Sequence, residues 1–128
     1  MQLVAVVIGL ALMEYVWFSM RCGQVRGRSD VAAPAMSGDP EFERALRVQY
    51  NTIEQLVVFV PSMLLFGFYV DGIAAAGVGL VFILGRYLYA RAYWVDPANR
   101  GPGFLLTVLS NAVLLLGGVV GAIVSYAT

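Results

Sequence analysis

The chain has 128 residues, of which 60% are hydrophobic and 12% charged, and its mean hydropathy is +0.80. Soluble domains carry about a quarter charged residues, so this composition belongs in a membrane. The eight basic residues are all Arg, balance eight Asp and Glu, and come with no His, which excludes histidine metal sites, Ser-His-Asp triads and imidazole bases, and leaves no basic surplus for nucleic acid.

A first apolar run, Met1 to about Met20, is interrupted only by Gln2 and Glu14 and is long enough to cross the hydrocarbon core as a helix. Glu14 inside the run, with no small-x-small cleavage site after it, marks a mature span rather than a cleaved leader. Cys22 has no disulfide or CxxC partner and no activating base beside it, so it reads as a membrane-edge residue. From Arg21 to Asp30 the chain turns basic and glycine-rich, and with Pro34 to Pro40 it is expected to be a loop outside the bilayer. Ser37 or Asp39 can cap the next helix, with Pro40 in its first turn and Glu41 and Glu43 near its positive end.

That second helix is predicted from Pro40 to Tyr69, with a kink at Pro61. Arg44, Arg47, Asn51 and Glu54 stand three or four residues apart and stack along one side of it, with Gln49 and Gln55 nearby. Ionisable groups at membrane depth are costly and normally face a bundle interior or a wet cavity, so this stripe is a candidate site. The structural alternative is that Glu54 neutralises an arginine to hold helices together.

Asp71-Gly72 reads as a tight turn into a third span, Ile73 to about Tyr93. Arg86, Tyr89 and Tyr93 follow the i, i+3, i+7 pattern and share a face, whereas Tyr87 and Tyr126 read as membrane-belt residues. Val95 to Gly103 is loop chemistry, and Phe104 to Ala127 is the fourth span. In it Gly117 with Gly121, and Gly118 with Ala122, repeat the spacing that lets helix backbones approach closely. The expectation is one all-α membrane domain, residues 1–128, with spans at about 1–20, 40–69, 73–93 and 104–127.

Four spans put both termini on one side. The loops on the other hold Arg21, Arg26, Arg28, Arg91 and Arg100, so the positive-inside rule makes that side cytoplasmic. The polar features gather at this end, as a site for an anion would. Guanidinium groups stay protonated and hold carboxylates or a developing anion, which suits a substrate that brings its own nucleophile, such as a thiol whose thiolate an arginine favours.

The residues Pro40-Glu41-Phe42-Glu43-Arg44, then Arg47-Val48-Gln49-Tyr50-Asn51-Thr52-Ile53-Glu54, then Gly79-Leu80-Val81-Phe82, Gly85-Arg86-Tyr87-Leu88-Tyr89 and Tyr93 resemble the membrane-associated proteins in eicosanoid and glutathione metabolism. Within that family the likeness is to the microsomal glutathione transferases of the second and third types and the leukotriene-forming synthases. The resemblance implies a four-helix bundle that forms a homotrimer, with glutathione as co-substrate, no metal, and the peptide bent between adjacent subunits. It implies that Arg47, Asn51, Glu54, Tyr89 and Tyr93 bind the peptide, with Gln49 close by, and that Arg26 reaches a glutathione carboxylate from the neighbouring subunit. Arg100, seven residues beyond Tyr93, matches the arginine that stabilises the thiolate. Gln55, where a tyrosine is common, and Gly27, in place of a second consecutive arginine, depart from the leukotriene-forming pattern. The expected second substrate is an apolar electrophile or lipid hydroperoxide from the surrounding membrane lipid, and the compact loops without Lys suit a multi-pass protein of a bacterial inner membrane with its site toward the cytoplasm. The rival readings are a non-catalytic lipid-presenting member of the family and a transporter.

Overall fold

A computed structural model describes residues 1–128 and contains four helices, α1 (Gln2–Arg28), α2 (Pro40–Tyr69), α3 (Gly72–Val95) and α4 (Gly101–Ala127), with a short 3-10 turn (Pro97–Asn99) before the last. Each is long and apolar enough to cross a membrane. At about 1.5 Å rise per residue they exceed the roughly 30 Å hydrocarbon core, so their polar ends stand beyond it.

The second helix has the bounds expected of it because its ends are chemically marked. The Asp39 carboxylate accepts a hydrogen bond from Phe42 N at 3.0 Å, Pro40 occupies the first turn, and the chain restarts at Asp71, whose carboxylate accepts from Ala74 N at 2.7 Å. Of the two candidate caps, Asp39 is the one used. The helix continues through Pro61. The first helix departs from expectation: residues 21–28 are helical, not loop. Cys22 and Val25, one turn apart, are buried against Phe42, Ala45 and Leu46, and this contact outweighs the weak helix preference of Gly23 and Gly27. Arg26 and Arg28 lie in the last turn, where they oppose the negative end of the helix, and Arg28 pairs with Glu41 at the start of α2. Helix α4 likewise begins at Gly101, three residues earlier than its apolar run.

The bundle interior is filled by Val4, Val7 and Ala11 from α1, Leu56, Phe59 and Met63 from α2, Ala75, Ala76 and Phe82 from α3, and Leu114 from α4. Phe59 and Phe82 stack at its centre, 3.9 Å between ring centroids. The α1 N-terminus, the α2–α3 turn and the end of α4 share one end of the bundle, where Met1 lies beside Asp71 and Val70 beside Val124. The Arg28–Glu41 pair and the bond from Arg44 Nε to the Trp94 carbonyl, 3.0 Å, lie at the other end.

Helix α4 is drawn close at both ends. Near the first end Gly118 and Gly121, one from each of the two small-residue pairs, meet the α2 backbone, while Gly117 meets the Phe66 ring: a Cβ on Gly121 would stand 2.9 Å from the Tyr69 carbonyl oxygen. At the arginine-rich end Gly103 lies against α3, where a Cβ would stand 2.7 Å from Tyr89 Cα and 2.8 Å from the Gly85 carbonyl oxygen. That contact brings the start of α4 next to Tyr89, and the site is built on it.

Candidate functional site

At the arginine-rich end, a pocket of about 400 Å³ is lined by Arg47 and Asn51 of α2, Tyr89 and Tyr93 of α3, Arg100 before α4, and Phe104 of α4. Tyr89 and Tyr93, one turn apart, have ring centroids 5.5 Å apart, and Tyr89 lies 6.1 Å from the Phe104 ring. Arg100 donates from one terminal nitrogen to the Pro97 carbonyl at 2.9 Å, which fixes its stem while its remaining donors stay available. The lining holds two guanidinium groups, two phenols and an amide, and no carboxylate. The first turn of α4, the positive end of that helix, adds to the field favouring an anion.

Five of the residues singled out in the sequence thus meet around one cavity: Arg47, Asn51, Tyr89, Tyr93 and Arg100. The other three stand apart from it within the chain. Glu54 is exposed on α2, Gln49 is half-buried there, and neither lines the pocket. Arg26 donates to the carbonyls of Val31 and Ala35 at 3.3 and 2.8 Å, lies over the Phe42 ring, and borders a separate cleft with Gly23 and Asp30.

The expected single polar stripe on α2 is divided. Arg44 is turned to the end of α3, Arg47 and Asn51 to the pocket, and Glu54 outward. Arg86 is fully buried, and Tyr89, one turn on, is buried as well. Arg86 donates to Asn51 Oδ1 at 2.8 Å, Thr52 Oγ1 at 2.9 Å and Thr107 Oγ1 at 3.3 Å, with its guanidinium 4.3 Å from the Tyr89 ring centroid. A charge sealed among apolar helices needs such acceptors. Sequence does not pick out Thr52, Thr107 or Phe104: Thr52 stands inside the polar run but is of a type common in membrane helices, and Thr107 and Phe104 lie on another helix.

Gln55, the departure noted above, has a structural use. Its side-chain carbonyl accepts from Asn111 Nδ2 at 3.1 Å and so ties α2 to α4 one turn below the pocket. A larger apolar groove, about 650 Å³, lies between the ends of α2 and α4 at the opposite end of the bundle and carries no charged group.

The MAPEG family model matches residues 4–120. A Synechocystis protein of uncharacterised function is 43% identical over 113 residues, covering 88% of this chain and 82% of its own. The microsomal glutathione S-transferase 2 of Homo sapiens is 35% identical over 119 residues, 93% of this chain and 81% of the human protein. The leukotriene C4 synthase of Rattus norvegicus is 33% identical over 98 residues, 77% of this chain and 65% of the rat protein. Four membrane-length helices and this breadth of similarity agree: the chain is a multi-pass integral membrane protein and belongs to the MAPEG family.

Proposed function

We propose that the protein is a membrane-bound glutathione transferase that binds glutathione in the pocket of Arg47, Asn51, Tyr89, Tyr93 and Arg100 and holds its thiol as the thiolate. One observation carries this reading: five donor-bearing side chains converge on a cavity with no carboxylate, next to the apolar ring of Phe104. A tripeptide with two carboxylates and a thiol is an acceptor-rich ligand for such a lining. The similarity to microsomal glutathione S-transferase 2 supports the same choice.

In this scheme Arg47 and Asn51 take carboxylate or carbonyl oxygens of the peptide, the two tyrosines close over it, and Arg100 faces the sulfur. A guanidinium beside a thiol favours ionisation, with about 1.4 kcal/mol of preferential interaction for each unit by which the thiol pKa falls. The thiolate attacks an electrophilic carbon arriving from the bilayer, a carbon–sulfur bond forms, and the leaving group departs with its electron pair. With a lipid hydroperoxide the thiolate attacks the terminal oxygen, a sulfur–oxygen bond forms as the O–O bond breaks, and the alkoxide is protonated to the alcohol. A second glutathione thiol then displaces water from the resulting sulfenic acid to give the disulfide.

The site is completed by a neighbour in a homotrimer, where Arg26, Gln49 and Glu54, all outside the pocket of their own chain, supply contacts across the interface. The arginine-rich end faces the cytoplasm of a bacterial cell. The test is conjugation of glutathione to a chlorodinitrobenzene-type acceptor by detergent-purified protein, with calorimetry for binding. Saturable binding and turnover are expected. A folded protein that neither binds glutathione nor forms the conjugate would overturn the reading in favour of a lipid-holding member of the family.

A further inference from the structure

Arg86 does not line the pocket, yet its longest reach ends on a residue that does. From this geometry we infer that Arg86 is a positioning residue: it locks the Asn51 amide with its oxygen turned into the bundle and its NH2 group presented to the ligand. A guanidinium has donors only, so the atom of Asn51 that stands 2.8 Å from Arg86 is the carbonyl oxygen. The usual ambiguity between the two ends of an amide does not arise here. Asn51 Nδ2 makes no hydrogen bond within the chain and is not sealed off among the unpartnered buried atoms, so it is free to donate into the cavity.

The lock is stiff because Arg86 is itself held. Its two terminal nitrogens are engaged by Thr52 on the same helix as Asn51 and by Thr107 on α4, and its flat face rests on the Tyr89 ring. It makes no salt bridge, the single one in the chain being Arg28–Glu41; the carboxyl of Glu14 on α1 acts on it only through space, with no hydrogen bond between them. A carboxylate partner would have neutralised Arg86 without fixing anything in the pocket, whereas an amide partner transmits its orientation. An amide left to flip would spend part of its time showing a carbonyl oxygen to the ligand's oxygens, a repulsive contact. The lock therefore keeps the cavity lined by donors alone.

The effect on affinity depends on glutathione being the ligand, as proposed above, but the lock itself does not, and the experiment separates the two. The chain has three asparagines, Asn51, Asn99 and Asn111, so protein labelled with nitrogen-15 asparagine shows few side-chain NH2 pairs, and the Asn51 pair is identified by its loss in Asn51→Ala. The native protein is expected to give one Asn51 pair, which moves when glutathione is added. Arg86→Met is expected to broaden or split that pair and to weaken glutathione binding about tenfold, a typical loss for a charge-assisted contact. In the Asn51→Ala background the same change is expected to weaken binding less than about twofold, since residues acting as one unit are not additive.

An unaltered Asn51 pair in Arg86→Met, or an equal loss of affinity with and without Asn51, would overturn the inference. Where Arg86→Met does not assemble, the native protein still decides: an Asn51 pair that stays still while glutathione binds by calorimetry would also overturn it. If the native protein binds no glutathione, the functional reading falls and the state of the amide pair alone decides for or against the lock.

Discussion

Arg100 stands at the mouth of the pocket with one nitrogen committed to the Pro97 carbonyl, and it is the residue on which thiolate chemistry would depend most. Arg100→Ala is expected to abolish the thiolate absorbance of bound glutathione and to lower kcat by about 10² or more, the usual cost of removing one preorganised charge-stabilising donor. Arg100→Lys should recover part of it, because an ammonium restores charge but not the fork. A variant that ionised glutathione and turned over like the native protein would end the assignment. At this scale the sequence was readable where polar residues recur at helical spacing: Arg47 with Asn51, and Tyr89 with Tyr93, were expected to share faces and do line one cavity. Arg86 packs on the ring of Tyr89, as their shared face predicts, but its hydrogen bonds are not legible in the sequence. Its acceptors Thr52 and Thr107 lie 34 and 21 residues away on other helices, and no local window holds both ends of such a bond.

Among the helices, the start of α4 carries the most geometric demand. Gly103 has no room for a side chain, so Gly103→Val is expected to push α4 from α3, lower the melting temperature in detergent, and weaken glutathione binding by carrying Arg100 and Phe104 away from Tyr89. Full affinity in that variant would show that the contact is not what shapes the pocket. The start of α2 has a pH signature instead. The hydrogen bond from Phe42 N holds the Asp39 carboxyl below its ordinary value of 3.8. A lowered pKa means that this contribution to stability is complete above the unfolded value and is lost as pH falls from there through the folded one. Melting temperature measured against pH should therefore show an acid-side drop that is smaller in Asp39→Asn, since asparagine still caps but does not titrate. The same capping chemistry makes the start of α2 legible in the sequence, whereas α1 outruns its apolar stretch because Cys22 and Val25 extend it by packing on residues of another helix.

For the whole molecule, the separation of Arg26 from the pocket of its own chain is the useful fact. In the proposed homotrimer, Arg26→Ala and Arg47→Ala each leave every site defective. Co-expressed, the two chains form mixed trimers in which an Arg47-bearing pocket meets an Arg26-bearing neighbour, and conjugation activity absent from either variant alone is expected to return. Its failure to return, with mixed assembly confirmed by native mass spectrometry, would place Arg26 outside the site. Hydropathy and glycine spacing reveal four packed spans, but a side chain that would face a neighbour in the proposed trimer looks in the sequence like any other exposed residue.

The sealed guanidinium of α3 also bears on how the protein is made. Insertion scales charge an arginine at the centre of a lone membrane helix about 2.5–3.5 kcal/mol, an upper bound for Arg86, which lies in the second half of α3. Its acceptors Asn51 and Thr52 belong to a span synthesised earlier and Thr107 to one synthesised later. Helix α3 can therefore place Arg86 on Asn51 and Thr52 as soon as it meets α2, and only the Thr107 bond waits for α4. In glycosylation mapping α3 is expected to integrate poorly when expressed without α2 and to recover when α2 precedes it, and Arg86→Leu to relieve the defect of α3 alone while leaving the finished bundle without the tie among α2, α3 and α4 beside the pocket.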